Sequence, residues 1–165
     1  MSSILLIGID VGSSGVRVEI YDINGFPIAT GRESIARQDV YEWLRAIEAA
    51  MPSIVKECKT CEKYVSVDST SGTYIPVDEY GEPLTNPVMY YEKRPDIYNK
   101  IKIFPSIEML ARKGVTVDPA SPIVKLYHMK LYNPGLYNRT RWIVPAATWI
   151  LYRLCRKENE IWSDI

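Results

Sequence analysis

Residues 4–25 read ILLIGIDVGSSGVRVEIYDING. The apolar run from Ile4 to Ile9, broken by one glycine, has the length of a buried strand, and it ends in Asp10 before a loop of Val11, Gly12, Ser13, Ser14 and Gly15. Val16, Val18 and Ile20 then alternate with Arg17, Glu19 and Tyr21, the period of a half-buried strand. Asp22-Ile23-Asn24-Gly25 supplies a turn with Asn-Gly at its tip. The expectation is a strand, a loop rich in glycine and hydroxyls, and a β-hairpin that follows without an intervening helix.

The loop has the chemistry of an anion cradle. Gly12 and Gly15 lack a Cβ, so their backbone can take positive φ and approach a ligand closely, and successive N–H groups in a tight turn form a concavity for phosphate oxygens. Ser13 and Ser14 add hydroxyl donors. Asp10 would repel a bare phosphate, so its better use is to hold Mg²⁺, directly or through water. Arg17 could neutralise the remaining phosphate charge. The plainer reading is an ordinary β-turn that uses Gly and Ser for its geometry, and these residues alone leave both open. Neither GxGxxG nor GxxxxGK[ST] is present.

Working outward, the 165 residues suffice for one domain with a real core, and 47% of them are hydrophobic. Twenty basic and twenty acidic residues balance, which gives no electrostatic case for nucleic acid or for an anionic membrane surface. No run approaches a membrane span, and no basic leader precedes a long apolar core, so the expected compartment is the cytoplasm. Cys58, Cys61 and Cys155 are too few for a disulfide framework, and a lone CxxC lacks the second ligand pair of a zinc ribbon. Cys58 and Cys61 are expected as free thiols at a helix end. His128, with no acid, thiol or second histidine close in sequence, is expected at the edge of the core or on the surface.

A third strand is expected over Phe26 to Thr30. Val40, Trp43, Leu44, Ile47, Ala50 and Met51 recur at helical spacing behind Asp39, a good N-cap with Glu42 three residues on. The apolar face continues past Pro52, which suggests one kinked helix ending near Glu57. Tyr64 to Val67 reads as a short buried strand. It runs into Asp68, Ser69, Thr70, Ser71, Gly72 and Thr73, an acid and four hydroxyls around a glycine, a set that suits a polyol or equally a polar turn. Beyond Arg94 the chain is expected to be mostly helical, with a short helix at Ile107–Ala111 closed by Gly114 and another beginning near Ile123 and broken at Asn133-Pro134-Gly135.

On these residues the chain resembles a known family. The order strand, Asp-x-Gly-x-x-Gly, strand is similar to the first phosphate motif of the actin, sugar-kinase and heat-shock ATPase superfamily, and IGIDVGSSGVRVEIYDINGFPIATG resembles the start of an FGGY-type carbohydrate kinase. VDSTSGTYIPVDEYGEPL resembles the pentulose-kinase segment after the first helix, closer to the ribulokinase-like DSTG branch than to the GQMHG of typical xylulokinases. VMYYEKR resembles the family's L-W-x-D-x-R element, with Tyr90 for the Trp, Glu92 for the acid and Arg94 retained. Further on, Lys125, Pro134 and Pro145 match family positions, Thr148 stands where an acid is usual, and Ser163 and Asp164 resemble the T-D-x-S-x-A element.

The resemblance implies a ribonuclease-H-like α/β fold, an antiparallel meander leading into a mixed sheet with flanking helices. Residues 1–165 would be a single domain equivalent to the N-terminal part of such a kinase, with the second half of the kinase absent. Family chemistry is ATP-dependent phosphorylation of a sugar, here a pentulose such as xylulose or ribulose, with Mg²⁺. The resemblance assigns Asp10 to the metal through water, Gly12, Ser13, Ser14, Gly15 and Arg17 to the phosphates, and Asp68, Ser69, Thr70, Glu92 and Arg94 to the sugar. The family's catalytic Asp and adenosine-binding domain match nothing in this chain, so no catalytic residue and negligible activity are expected of it alone. A second chain completing the kinase, or a homodimer, would then be its partner. The readings from other classes are a non-catalytic sugar- or nucleotide-binding remnant or scaffold of the same fold, and an actin-like or chaperone-like nucleotide switch.

Overall fold

The computed structural model describes residues 4–155. Strand β1 (Ile4–Val11) buries Leu5, Ile7, Ile9 and Val11 on one face. Strand β2 (Gly15–Tyr21) buries Val16, Val18 and Ile20 in the same way, and β3 (Pro27–Ser34) closes an antiparallel meander. Strand β4 (Glu62–Ser69) lies parallel to β1, giving a sheet of order β3-β2-β1-β4. The parallel pairing requires a crossover, which α1 (Val40–Ala50) provides. Asp39 caps it, its Oδ1 accepting from the N–H of Tyr41 at 2.9 Å and of Glu42 at 3.1 Å. Val40, Trp43, Ala46, Ile47 and Ala50 are buried at helical spacing, and full burial of each large one stabilises by about 1.5–3 kcal/mol.

The chain forms two compact units, one running to Thr70 and resuming at Ala146, the other Ser71–Pro145. The first holds the four-stranded sheet, α1, α2 (Ser53–Glu57) and α7 (Ala146–Cys155), with α1 against β2 and β3, and α7 against β4. The second is built on β5 (Tyr74–Val77) paired antiparallel with β6 (Trp142–Pro145), and on α3 (Pro95–Ile101), α4 (Pro105–Arg112), α5 (Pro122–Tyr132) and α6 (Pro134–Arg139). Ile97, Ile101, Ile107 and Val124 form a core cluster of that unit.

Several boundaries differ from expectation. β3 extends to Ser34, and β4 is eight residues rather than four, because pairing with β1 holds its polar residues in the ladder. The expected kinked helix is two: α1 ends at Ala50, and Pro52 starts α2 anew. The proline in NPG opens α6 rather than only ending α5. Cys58 and Cys61 are not free thiols but a disulfide, their Cα atoms 5.5 Å apart in the turn between α2 and β4. Ser163 and Asp164 lie outside the described residues.

Candidate functional site

The pleat and the two registers around β1 place the site. Gly31, Val18, Ile9 and Val67 form one row of cross-strand partners, on the face where Gly31 abuts Ala50 of α1. The neighbouring row is Arg32, Arg17, Asp10 and Asp68, which therefore points to the opposite face. Asp10 and Asp68 thus stand side by side on adjacent strands, about 4.8 Å apart along the hydrogen-bonding direction, with Arg17 on the other flank of Asp10. A cavity of about 250 Å³ opens there, lined by Gly8, Asp10, Arg17, Glu19, Ser66 and Asp68 among others.

The loop after β1 is held from three sides. Gly12 N–H donates to the Gly15 carbonyl at 2.9 Å, Ile35 N–H to the Ser14 carbonyl at 3.0 Å, and Gln38 Nε2 to the Ser13 carbonyl at 2.6 Å. Gln38 is fixed in turn by Trp43 of α1, whose Nε1 donates to Gln38 Oε1 at 3.1 Å. With those carbonyls engaged, the N–H groups of Ser13 and Ser14 donate to no other group among the described residues. Neither Gly12 nor Gly15 takes positive φ, contrary to expectation. Gly15 is required by packing instead, since a Cβ there would lie 2.7 Å from the Glu33 carbonyl oxygen of β3. At Gly12 a Cβ would meet only ordinary contact, 3.5 Å from the Gly15 oxygen.

The residues fit a magnesium–phosphate group by their donors. Two adjacent carboxylates and exposed serine oxygens are hard ligands, and unspent loop N–H groups suit phosphate oxygens. No cluster of three His, Cys, Asp or Glu able to hold a metal occurs among the described residues. A cation held here would draw its remaining ligands from water and phosphate, which Mg²⁺ does readily. At the end of β4, the Ser69 N–H donates to Asp68 Oδ1 at 2.8 Å.

Glu92 and Arg94 belong to the second unit and are bound to each other, Arg94 Nη2 to Glu92 Oε2 at 2.8 Å. Glu92 Oε1 also accepts from Met89 N–H at 2.8 Å, closing the turn that carries Tyr90 and Tyr91. This turn rests on Lys125, a residue to which no role was assigned from sequence. Its side chain is buried, 3% of the residue exposed, and Nζ donates to the Met89 carbonyl at 2.7 Å. Burial pushes the Lys125 ammonium below the usual lysine range, Glu92 and Asp118 oppose the fall, and Arg94 adds to it. Tyr74 of β5 is equally buried, and its hydroxyl has no hydrogen-bond partner among the described residues. Burial raises its pKa, as does the Glu92 carboxylate. A tyrosine in an apolar strand carries no sequence signal that its hydroxyl will be left alone, and Gln38 likewise reads as an ordinary residue ahead of a helix.

The geometry can be set beside known proteins. The N-terminal domain model of the FGGY family of carbohydrate kinases matches residues 5–164. A ribulokinase from Bacillus licheniformis is 27% identical over 145 residues, which is 75% of this chain and 26% of that enzyme. A xylulose kinase from Lactobacillus acidophilus superposes with a TM-score of 0.76 at 20% identity, covering 90% of this chain and 33% of the other. A Plasmodium falciparum glycerol kinase, solved with ADP, gives 0.74 at 16% identity over 93% of this chain and 34% of the other. The chain thus spans between a quarter and about a third of the length of these relatives. The structural likenesses show the actin-like ATPase fold, while the family match extends over nearly the whole sequence. This chain belongs to the FGGY family of carbohydrate kinases, through that family's N-terminal domain.

Proposed function

We propose that this chain supplies the phosphate-loop and sugar-facing part of an ATP-dependent kinase for a pentulose such as xylulose or ribulose. The observation that carries the reading is the alignment of Asp68, Asp10 and Arg17 on one sheet face, next to a loop whose Ser13 and Ser14 N–H groups are unspent. A magnesium-bound ATP would contribute the transferable phosphoryl group and neutralise its developing charge. Asp10 would hold the metal through water, the 12–15 loop would orient phosphate oxygens, and Arg17 would offset the excess negative charge. Asp68, Ser69 and Thr70 would accept and donate hydrogen bonds to sugar hydroxyls; within the second unit, Glu92 and Arg94 are a pre-formed ionic pair of a kind that suits sugar hydroxyls. Lys125 would keep the Tyr90–Arg94 segment in place through the Met89 carbonyl.

Nothing in this set deprotonates a sugar hydroxyl, so the chain is proposed to act as one domain, in the cytoplasm where ATP is supplied, and to be inactive alone. The groups that complete the transfer would come from the remaining part of an FGGY kinase, whether carried on the same polypeptide or on a second chain. Calorimetric titration of the folded chain with D-xylulose, D-ribulose and Mg·ATP tests the reading. Saturable heat for one pentulose or for Mg·ATP, lost in Asp10→Asn for the nucleotide and in Asp68→Asn for the sugar, is the expected result. Silence toward all three ligands would sink it and leave a scaffold of the same fold.

A further inference from the structure

The turn between α2 and β4 contains chemistry that a kinase does not use. Cys58 caps the C-terminus of α2, its N–H donating to the Ile54 carbonyl at 3.0 Å, and Cys61 immediately precedes β4. Their disulfide spans a sequence separation of three, so it removes less loop-closure entropy, and adds less to the stability of the fold, than a bridge closing a long loop. By linkage, a bridge that stabilises the fold weakly is also one that the fold protects weakly from reduction. Both cysteines are partly exposed, so a thiol in solution can reach them. The exposed Lys56, Lys59 and Lys63 lie close to them along the chain, interleaved with the exposed Glu57 and Glu62, and Lys63 Nζ donates to the Cys58 carbonyl at 2.8 Å. Positive charge beside a sulfur favours the thiolate that leaves during exchange. The flanks have no core to disrupt: α2 buries no residue, and Glu62, Lys63 and Tyr64 at the start of β4 are exposed.

We infer that Cys58–Cys61 is a reversible thiol–disulfide exchange site, reduced by low-molecular-weight or protein dithiols. In the forward step a thiolate of the reductant attacks one sulfur, forms a mixed disulfide and releases the other sulfur as a thiolate. A second reductant thiol, from the same molecule in a dithiol or from a second molecule with glutathione, then displaces the first cysteine. The reductant leaves as a disulfide, and two electrons and two protons pass to Cys58 and Cys61.

The test uses the full chain carrying Cys155→Ser, which removes the third cysteine. The protein is equilibrated in buffers from fully oxidised to fully reduced glutathione, quenched in acid, alkylated with a maleimide mass tag and weighed. The expected result is a single transition from no tags to two that follows the squared concentration of reduced glutathione divided by the concentration of oxidised glutathione. The melting temperature should fall by roughly 5 °C across it. Cys58→Ser/Cys61→Ser should melt like the reduced form in every buffer. Two tags even in oxidised glutathione, or a bridge that stays closed in reduced glutathione while the chain remains folded, would overturn the inference.

Discussion

Gly31→Ala adds one methyl group to β3 at the point where the strand passes under the end of α1. An ideal Cβ at Gly31 would overlap the Ala50 carbonyl oxygen and lie 2.9 Å from the Ala50 carbonyl carbon. The obstacle is backbone, so no side chain can swing aside, and α1 must lift from the sheet by about 1 Å. Ala46, Ile47 and Ala50 are packed to 3% exposure or less under that helix, and forcing such a contact apart costs about 3 kcal/mol. Alanine returns about 0.5 kcal/mol by narrowing the unfolded ensemble, which leaves a net loss of about 2.5 kcal/mol. For a chain of this size that is a fall of roughly 5–10 °C in melting temperature, read by circular dichroism or by urea titration. Gly135→Ala provides the contrast, because nothing lies within 4 Å of its added Cβ and the position is in the first turn of α6. The same chemical change there should stabilise, by up to about 1 kcal/mol. A Gly31→Ala protein that melts within a degree of the wild type would refute the claim that β3 and α1 meet backbone to backbone.

Asp39→Ala should cost about 1 kcal/mol, since it leaves the Tyr41 and Glu42 N–H groups at the start of α1 without their acceptor; a change below about 0.3 kcal/mol in urea titration counts against the cap. Tyr74→Phe should be neutral or stabilising by up to about 1 kcal/mol, because it removes a buried hydroxyl that has no partner; a clear loss of stability would show that the hydroxyl is bonded. Lys125 carries a pH signature. Its folded pKa is lowered, so between that value and the unfolded value of about 10.4 the unfolded chain binds more protons, and stability rises with pH. Relative to Lys125→Met, the wild type should therefore gain stability as the pH rises toward the unfolded lysine value, and a difference that stays flat on that approach contradicts a depressed ammonium.

The β1–β2 hairpin was legible because one face of it is buried: Val16, Val18 and Ile20 sit in the core at 3% exposure or less, and a strict two-residue period follows. α1 was legible for a similar reason, a buried stripe behind a capping aspartate. β5 and β6 were not. Tyr74–Val77 is buried at every position and has no alternation to read, and its pairing with residues 142–145 is set by tertiary contact almost seventy residues away. The prolines misled in the opposite direction. Pro134, read as a helix breaker, sits in the first turn of α6, as Pro95, Pro105 and Pro122 sit in the first turns of α3, α4 and α5; the missing N–H has no intrahelical partner to lose there, so the breaker marks a beginning.

The candidate site depended on a register that no local signal states. Asp10 and Asp68 were each visible as an acid at a strand end, yet their adjacency comes from eight consecutive parallel pairs between β1 and β4. What holds that register is the alternation within β4 itself, where Val65 and Val67 are partly covered while Ser66 and Asp68, on the other face, are exposed. A slip of one residue would turn both valines to water and carry Asp68 away from Asp10 to the opposite, partly buried face. Two modest apolar side chains therefore position a carboxylate they do not touch. Val67→Ser, which removes half of that apolar pattern, should loosen β4 and weaken any ligand shared by Asp10 and Asp68 before it unfolds the chain.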